Sequence, residues 1–254
     1  MFLKVVACEI AARELYYAAA RSPHQVDLEF LTQGHHDTPA TGKAEVQKKI
    51  EAVPAGKYDA VLLGYGLCSN ILAEVRATHT RLVVPRAHDC ITFFMGSKER
   101  YQKCFTENPG TFYYSSGWLE CARRRGVEGP LWGGAALPAT ATMGFKMPGT
   151  YTEWVIKYGE DQAKYLLEEM SRWTEAYSNG TLIEFDFLKH LNLDKQVQGI
   201  CAEKKWAFGS MPGDMRLFDN LLNGIWPETD YLVVQPGEKI VPSFDDRVIK
   251  AVAA

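Results

Sequence analysis

Three residues in one short stretch carry the atoms of a soft-ligand site: Cys68, His88 and Cys90. Residues 60–63 are an apolar run that stops at Gly64-Tyr65-Gly66-Leu67-Cys68, and residues 82–84 are another that stops at Pro85-Arg86-Ala87-His88-Asp89-Cys90. Apolar runs this short, ended by glycine or proline, read as buried strands of a parallel sheet, which presents its chemistry at strand carboxyl ends. Cys8 closes an earlier run, residues 4–7, just before an alanine-rich stretch, and so occupies the same kind of position. Zinc is held by thiolate and imidazole, three protein ligands plus water making a catalytic site and four a closed one. Cys8, Cys68, His88 and Cys90 are therefore the expected metal ligands, with zinc the expected ion. They are scattered over three strand ends rather than paired as Cys-x-x-Cys, which suits catalysis on a rigid sheet better than metal-driven folding. The three cysteines alone could instead hold a [4Fe-4S] cluster with one open iron. Cys68 or Cys90 could also act as a nucleophile with His88 as its base, helped by a helix amino terminus that lowers a thiol pKa. The ordinary alternative is packing, because cysteine is among the most buried residue types.

Further groups could serve such a centre. His36 ends a second expected strand, residues 26–31, and is read as an extra ligand or a general base, whereas His35 is read as a solvated loop residue. Glu9, Asp89 and Glu120 are acids that could orient an imidazole or move a proton. Arg86, Ser97, Lys98 and Arg100 surround a helix start after Gly96 and could bind a carboxylate or phosphate. Their alternative role is an ordinary capped, solvated helix face. Cys104, Cys121, Cys201, His24, His79 and His190 are assigned to packing or surface. Gly64 to Leu67 is a poor dinucleotide fingerprint, lacking the third glycine and a helix of normal length behind it.

The elements that must position these groups follow from patterning. Strands are expected over residues 4–7, 26–31, 59–63, 81–84, 111–114, 181–185, 206–209 and 231–234, with helices between them, including 10–20, 41–53, 151–177, 186–203 and 215–223. The fold class is α/β, with mostly parallel sheets, helices on both faces and a Rossmann-like arrangement. The run from Trp206 to Gly237 echoes the run from Val26 to Gly66, so the single domain, residues 1–254, is expected to form two similar lobes around one cleft, split near residue 108. Residues 126–150, rich in glycine, proline, alanine and threonine, read as a long loop, a lid or the joint between lobes. A net charge of −3, with no basic run longer than Arg123-Arg124-Arg125, gives no electrostatic footprint for nucleic acid. No window approaches the ~20 apolar residues of a membrane span. The expected compartment is the cytoplasm, where six cysteines are free thiols or ligands rather than disulfides.

The strings Tyr65-Gly66-Leu67-Cys68-Ser69-Asn70 and Pro85-Arg86-Ala87-His88-Asp89-Cys90-Ile91, with Gly96-Ser97, Tyr101, Pro109-Gly110-Thr111 and Gly117-Trp118, resemble the family catalogued as domain of unknown function 1638. Weaker likenesses at His36-Asp37-Thr38-Pro39, Gly213-Asp214 and Pro236-Gly237-Glu238 extend it over nearly the whole chain. The resemblance implies an association with corrinoid-dependent methyl-transfer systems, hence one-carbon metabolism, and points to Cys68, His88 and Cys90 as the functional core. Two roles then stand side by side. One is a zinc-dependent methyltransferase-like enzyme in which a metal-bound thiol accepts a methyl group from a corrinoid or a small methylated compound. The other is an accessory metal- or corrinoid-binding partner of a methyltransferase. A hydrolase or lyase using a metal-bound water would need no other residues.

Overall fold

The computed structural model describes residues 1–36, 38–68, 70–124, 155–156, 159–164 and 177–254, with the side chains of residues 36 and 122–124 outside that description. Its centre is β1 (Phe2–Cys8), buried on both faces from Val5 onward as a middle strand of a parallel sheet must be. β3 (Ala60–Gly64) and β4 (Leu82–Pro85) are buried at every residue. β2 (Gln25–Leu31) is less so, as suits an edge. With β8 (Tyr231–Val234) these strands form a five-stranded sheet of order β2-β1-β3-β4-β8, parallel except for β8, which runs antiparallel to β4.

A second sheet of three parallel strands holds β5 (Thr111–Tyr114), β6 (Asn179–Glu184) and β7 (Ala207–Pro212). The two-residue period of its strands sorts their side chains cleanly. Tyr113, Ile183 and, just past β6, Phe185 enter the main core, while Phe112, Tyr114 and Leu182 pack against Leu193, Val197, Ile200 and Cys201 of a helix. That helix is α6 (Leu193–Lys204); α1 (Ala12–Arg21), α2 (Pro39–Glu51), α3 (Cys90–Met95), α4 (Lys98–Glu107), α5 (Ser116–Arg124) and α7 (Arg216–Leu222) are the others labelled among the described residues. A hairpin of β9 (Glu238–Pro242) and β10 (Ile249–Ala253) completes the chain.

The α/β class and the mostly parallel central sheet agree with the sequence reading. Two details differ from it. The strand expected to finish a second lobe, residues 231–234, lies instead in the first sheet, pairing Leu82 with Val234 and Pro85 with Tyr231. β4 is apolar throughout and would be an open edge without it. The helix expected over 186–203 is broken at Asn192, which takes a left-handed φ of 50° between a 3-10 segment, Asp186–Leu191, and α6; asparagine tolerates that conformation better than most residues. The expected loop at 126–150 and most of the helix expected at 151–177 lie outside the described residues. Among the described residues no helix is long and apolar enough to cross a membrane.

Candidate functional site

β1, β3 and β4 end side by side; β1 ends on Cys8, and β3 and β4 continue into segments that deliver Cys68 and Cys90. Past β3 the chain stays paired with the segment after β4: Leu67 N–H donates to the Ala87 carbonyl at 2.8 Å and Cys68 N–H to the His88 carbonyl at 2.9 Å. The approach is so close that a Cβ on Gly66 would lie 2.8 Å from the backbone of Asp89, which is why glycine stands there. Cys68 then adopts a left-handed φ of 42°. A non-glycine residue in that region costs roughly 1–2 kcal/mol and persists only where its surroundings dictate it. Cys90 is the first residue of α3, whose amino terminus is capped by Asp89 accepting from Thr92 N–H at 3.0 Å.

The three thiols are buried, with Cys8 3%, Cys68 6% and Cys90 9% exposed. Each sulfur meets N–H donors. The Ile10 amide faces Cys8, the Gly66 and Cys90 amides face Cys68, and the Trp118 indole N–H donates to Cys90. Burial pushes all three thiols well above the ordinary range, and each is raised further by the others or by Asp89. Burial and the neighbouring sulfurs and carboxylates thus all favour the neutral thiols over their anions. No disulfide joins any of the six cysteines. Among the described residues no three His, Cys, Asp or Glu side chains converge as a single-ion site.

The remaining expected site residues divide sharply. The His88 side chain is exposed and lines a cavity of about 850 Å³ with Asp89, Lys98, Tyr101, Phe105 and Asp246. Asp89 serves as a helix cap and accepts the Tyr101 hydroxyl; that contact and burial both raise the phenol pKa, burial more. Asp89 and Tyr101 also line a smaller cavity of about 160 Å³ that reaches Trp118. Arg86 is 5% exposed, and its guanidinium donates to the carbonyls of Glu228 at 2.7 Å, Tyr231 at 3.2 Å, Arg247 at 2.9 Å, and Ile249. Lys98 Nζ donates to the Asp246 carbonyl at 2.7 Å and Arg100 to those of Met95 at 3.2 Å and Pro212 at 2.5 Å, while Ser97 caps α4. The residues expected to hold an anion thus hold the chain's own carbonyls and helix start, and only Lys98 among them faces the larger cavity. Glu120 is gripped by Arg13 through contacts of 2.5 to 2.9 Å. Glu9 accepts from Thr32 Oγ1 at 3.0 Å and Gln33 N–H at 2.9 Å. The backbone of His36 closes a 3-10 turn, Gln33–His36, and its side chain lies outside the described residues.

Three further residues stand beside the thiols: Tyr65 and Trp118, named in the sequence within the family strings, and Cys121, assigned there to packing or surface. Trp118 reaches Cys90 from α5, whose Gly117 sits so tightly on the turn after β1 that a Cβ there would be 1.6 Å from the Ile10 carbonyl oxygen. Cys121, one helical turn further, is an electrostatic neighbour of Cys8 rather than a distant packing residue. Tyr65 stands among Cys8, Cys68 and Glu9. The available signal was the i, i+3 spacing of Trp118 and Cys121 after a glycine, which places both on one helix face.

Fold and site together define a class: an open, mostly parallel α/β protein whose central strands end on a buried cluster of cysteines. The chain belongs to the family described as Protein of unknown function (DUF1638), whose model matches residues 30–222. No curated protein and no solved structure gives a significant match to the chain.

Proposed function

We propose that this chain is a metalloprotein of one-carbon metabolism in which Cys8, Cys68 and Cys90 hold a [4Fe-4S] cluster, and that it serves corrinoid-dependent methyl transfer as an accessory partner of a methyltransferase. The observation that carries this reading is the placement of three buried thiols at or just past three adjacent strand ends, with N–H donors beside each sulfur. Hydrogen bonds to sulfur are among the features by which proteins stabilise and tune such clusters. With three cysteines as ligands, the cluster supplies a one-electron couple and one open iron for a small ligand. The one-carbon setting rests on the family resemblance of the Cys68 and His88-Asp89-Cys90 strings. An accessory role is favoured over catalysis because the expected proton-moving acids are engaged, Glu120 by Arg13 and Asp89 by the α3 cap.

A second reading keeps a single zinc with His88 as ligand and methyl transfer to a thiol as the reaction. It is favoured by one observation, that His88 lines the larger cavity together with Lys98, where a small acidic substrate could sit. Elemental analysis with an absorption spectrum of anaerobically purified protein separates the two. The expected result is about four irons and a brown sample, lost in Cys68→Ser and Cys90→Ser and kept in His88→Ala. About one zinc per chain, lost in His88→Ala, would establish the second reading instead. A metal-free protein that tolerates both cysteine changes sinks both.

A further inference from the structure

The smaller cavity, about 160 Å³, is walled by aromatic rings and holds charge of one sign. Tyr101, Phe105, Phe112, Tyr113, Trp118 and Tyr177 line it; Asp89 is the charged residue among its described walls, with no lysine, arginine or histidine beside it. The rings stand at steep angles rather than in a stack. Tyr101 meets Tyr113 edge-on at 6.3 Å and 75° and Phe105 at 6.4 Å and 61°, and Tyr177 meets Phe112 at 5.5 Å and 77°. Rings so inclined bound a space on several sides, and ring faces attract cations.

Asp89 gives the cavity its sign. Its carboxylate accepts the Thr92 N–H at 3.0 Å, the Thr92 hydroxyl at 3.2 Å and the Tyr101 hydroxyl. A carboxylate offers about four acceptor positions, so little hydrogen-bonding capacity is left while the negative charge remains. Such walls favour a cation that needs no hydrogen bonds. A primary ammonium would exchange water for rings at a cost, whereas a quaternary ammonium carries its charge behind methyl groups and loses little hydration. The volume agrees, since a cavity of ~150 Å³ accommodates benzene, a bulk close to that of a trimethylammonium head. Phe105 is 52% exposed and Pro109 is exposed, so the cavity opens to solvent beside α4. It shares Asp89, Tyr101 and Phe105 with the larger cavity, which has room for a chain attached to the ammonium.

We infer that this cavity is a binding site for small quaternary ammonium compounds, with the aromatic rings around the methyl groups and Asp89 as the counter-charge. The inference does not depend on what the cysteines hold.

Isothermal titration calorimetry of the full chain with choline, and with the uncharged analogue in which carbon replaces its nitrogen, tests the site. Choline is expected to bind about tenfold more tightly than the carbon analogue. Phe105→Leu keeps an apolar wall and removes a ring face, and Asp89→Asn removes the charge while keeping a residue that caps helices well. Each is expected to weaken choline binding about three- to tenfold and to leave the carbon analogue unchanged. Tyr16→Leu, which replaces an exposed ring of α1 that packs on Phe30, is the control and is expected to leave choline binding unchanged. Unfolding midpoints verify that each variant folds. Equal affinity for choline and its carbon analogue marks a merely apolar pocket and overturns the inference. Absence of binding at millimolar choline overturns it too, as does an affinity that neither Phe105→Leu nor Asp89→Asn moves.

Discussion

The amide of Cys68 and the carbonyl of His88 are joined by a 2.9 Å hydrogen bond, and this bond sets the roles of the two residues apart. It holds Cys68 in its left-handed conformation with the thiol buried, while the His88 side chain, two residues before Cys90, is exposed at the cavity. Residues adjacent in the motif thus serve an inside and an outside.

Gly66 is the hinge on which that pairing depends. Gly66→Ala puts a methyl group 2.8 Å from the Asp89 backbone, where no flexible side chain can yield. The expected cost is about 1–3 kcal/mol of overpacking, with the Cys68 and Cys90 segments pushed apart. Gly199 is the contrast: it lies within α6 with open space around its Cβ position, so Gly199→Ala is expected to stabilise the fold by about 0.5–1 kcal/mol. Chemical denaturation checks both, and a Gly66→Ala protein with full stability refutes the close-approach account.

Arg86 decides between two roles that the motif leaves open. If its guanidinium holds four backbone carbonyls, Arg86→Leu strands buried acceptors and lowers stability by about 3 kcal/mol or more. Arg86→Lys recovers only part of that, because a single ammonium cannot reproduce the planar fork. Urea unfolding curves measure the difference. Wild-type stability in Arg86→Leu would return the residue to ligand binding.

Glu14 gives stability a pH dependence unrelated to the cysteines. It lies in α1, is 1% exposed, and accepts the Ser116 hydroxyl at 2.9 Å while its second oxygen has no partner among the described residues. Burial pushes its pKa up from 4.5 to about 7. The protonated form is the one the fold accommodates, so its contribution is complete below pH 4.5 and is lost as pH rises through about 7. The loss across that window is about 3 kcal/mol. Glu14→Gln is expected to flatten stability between pH 5 and pH 8 (about the span of that titration) and to exceed wild type at the upper end. Unfolding midpoints that change with pH equally in both proteins would show that another group is responsible.

The strand ends were legible because β1, β3 and β4 are short apolar runs cut off by charge, glycine or proline, and that alone placed Cys8, Cys68 and Cys90 together. The separation of His88 from Cys90 was not legible. It arises from Asp89 acting as a cap, which starts a helix between them and ends the alternation a strand would have continued. Arg86 reads in sequence as a charge beside a motif, and only the return of residues 228–249 reveals what it binds. Trp118 and Cys121 reach the thiols through the packing of α5 on the turn after β1, a contact between segments more than a hundred residues apart. The position of β8 was missed for the same reason: a four-residue apolar strand carries no label for the sheet it will join.

The Arg86 clamp also orders events during synthesis. The segment that carries Cys90 is fastened at its base to carbonyls that leave the ribosome some 140 to 160 residues later. A nascent chain can make every cysteine of the centre yet lack the brace that fixes their spacing. The spacing of the three thiols is thereby completed only after the strands and hairpin that follow residue 228 have emerged, long after the cysteines themselves.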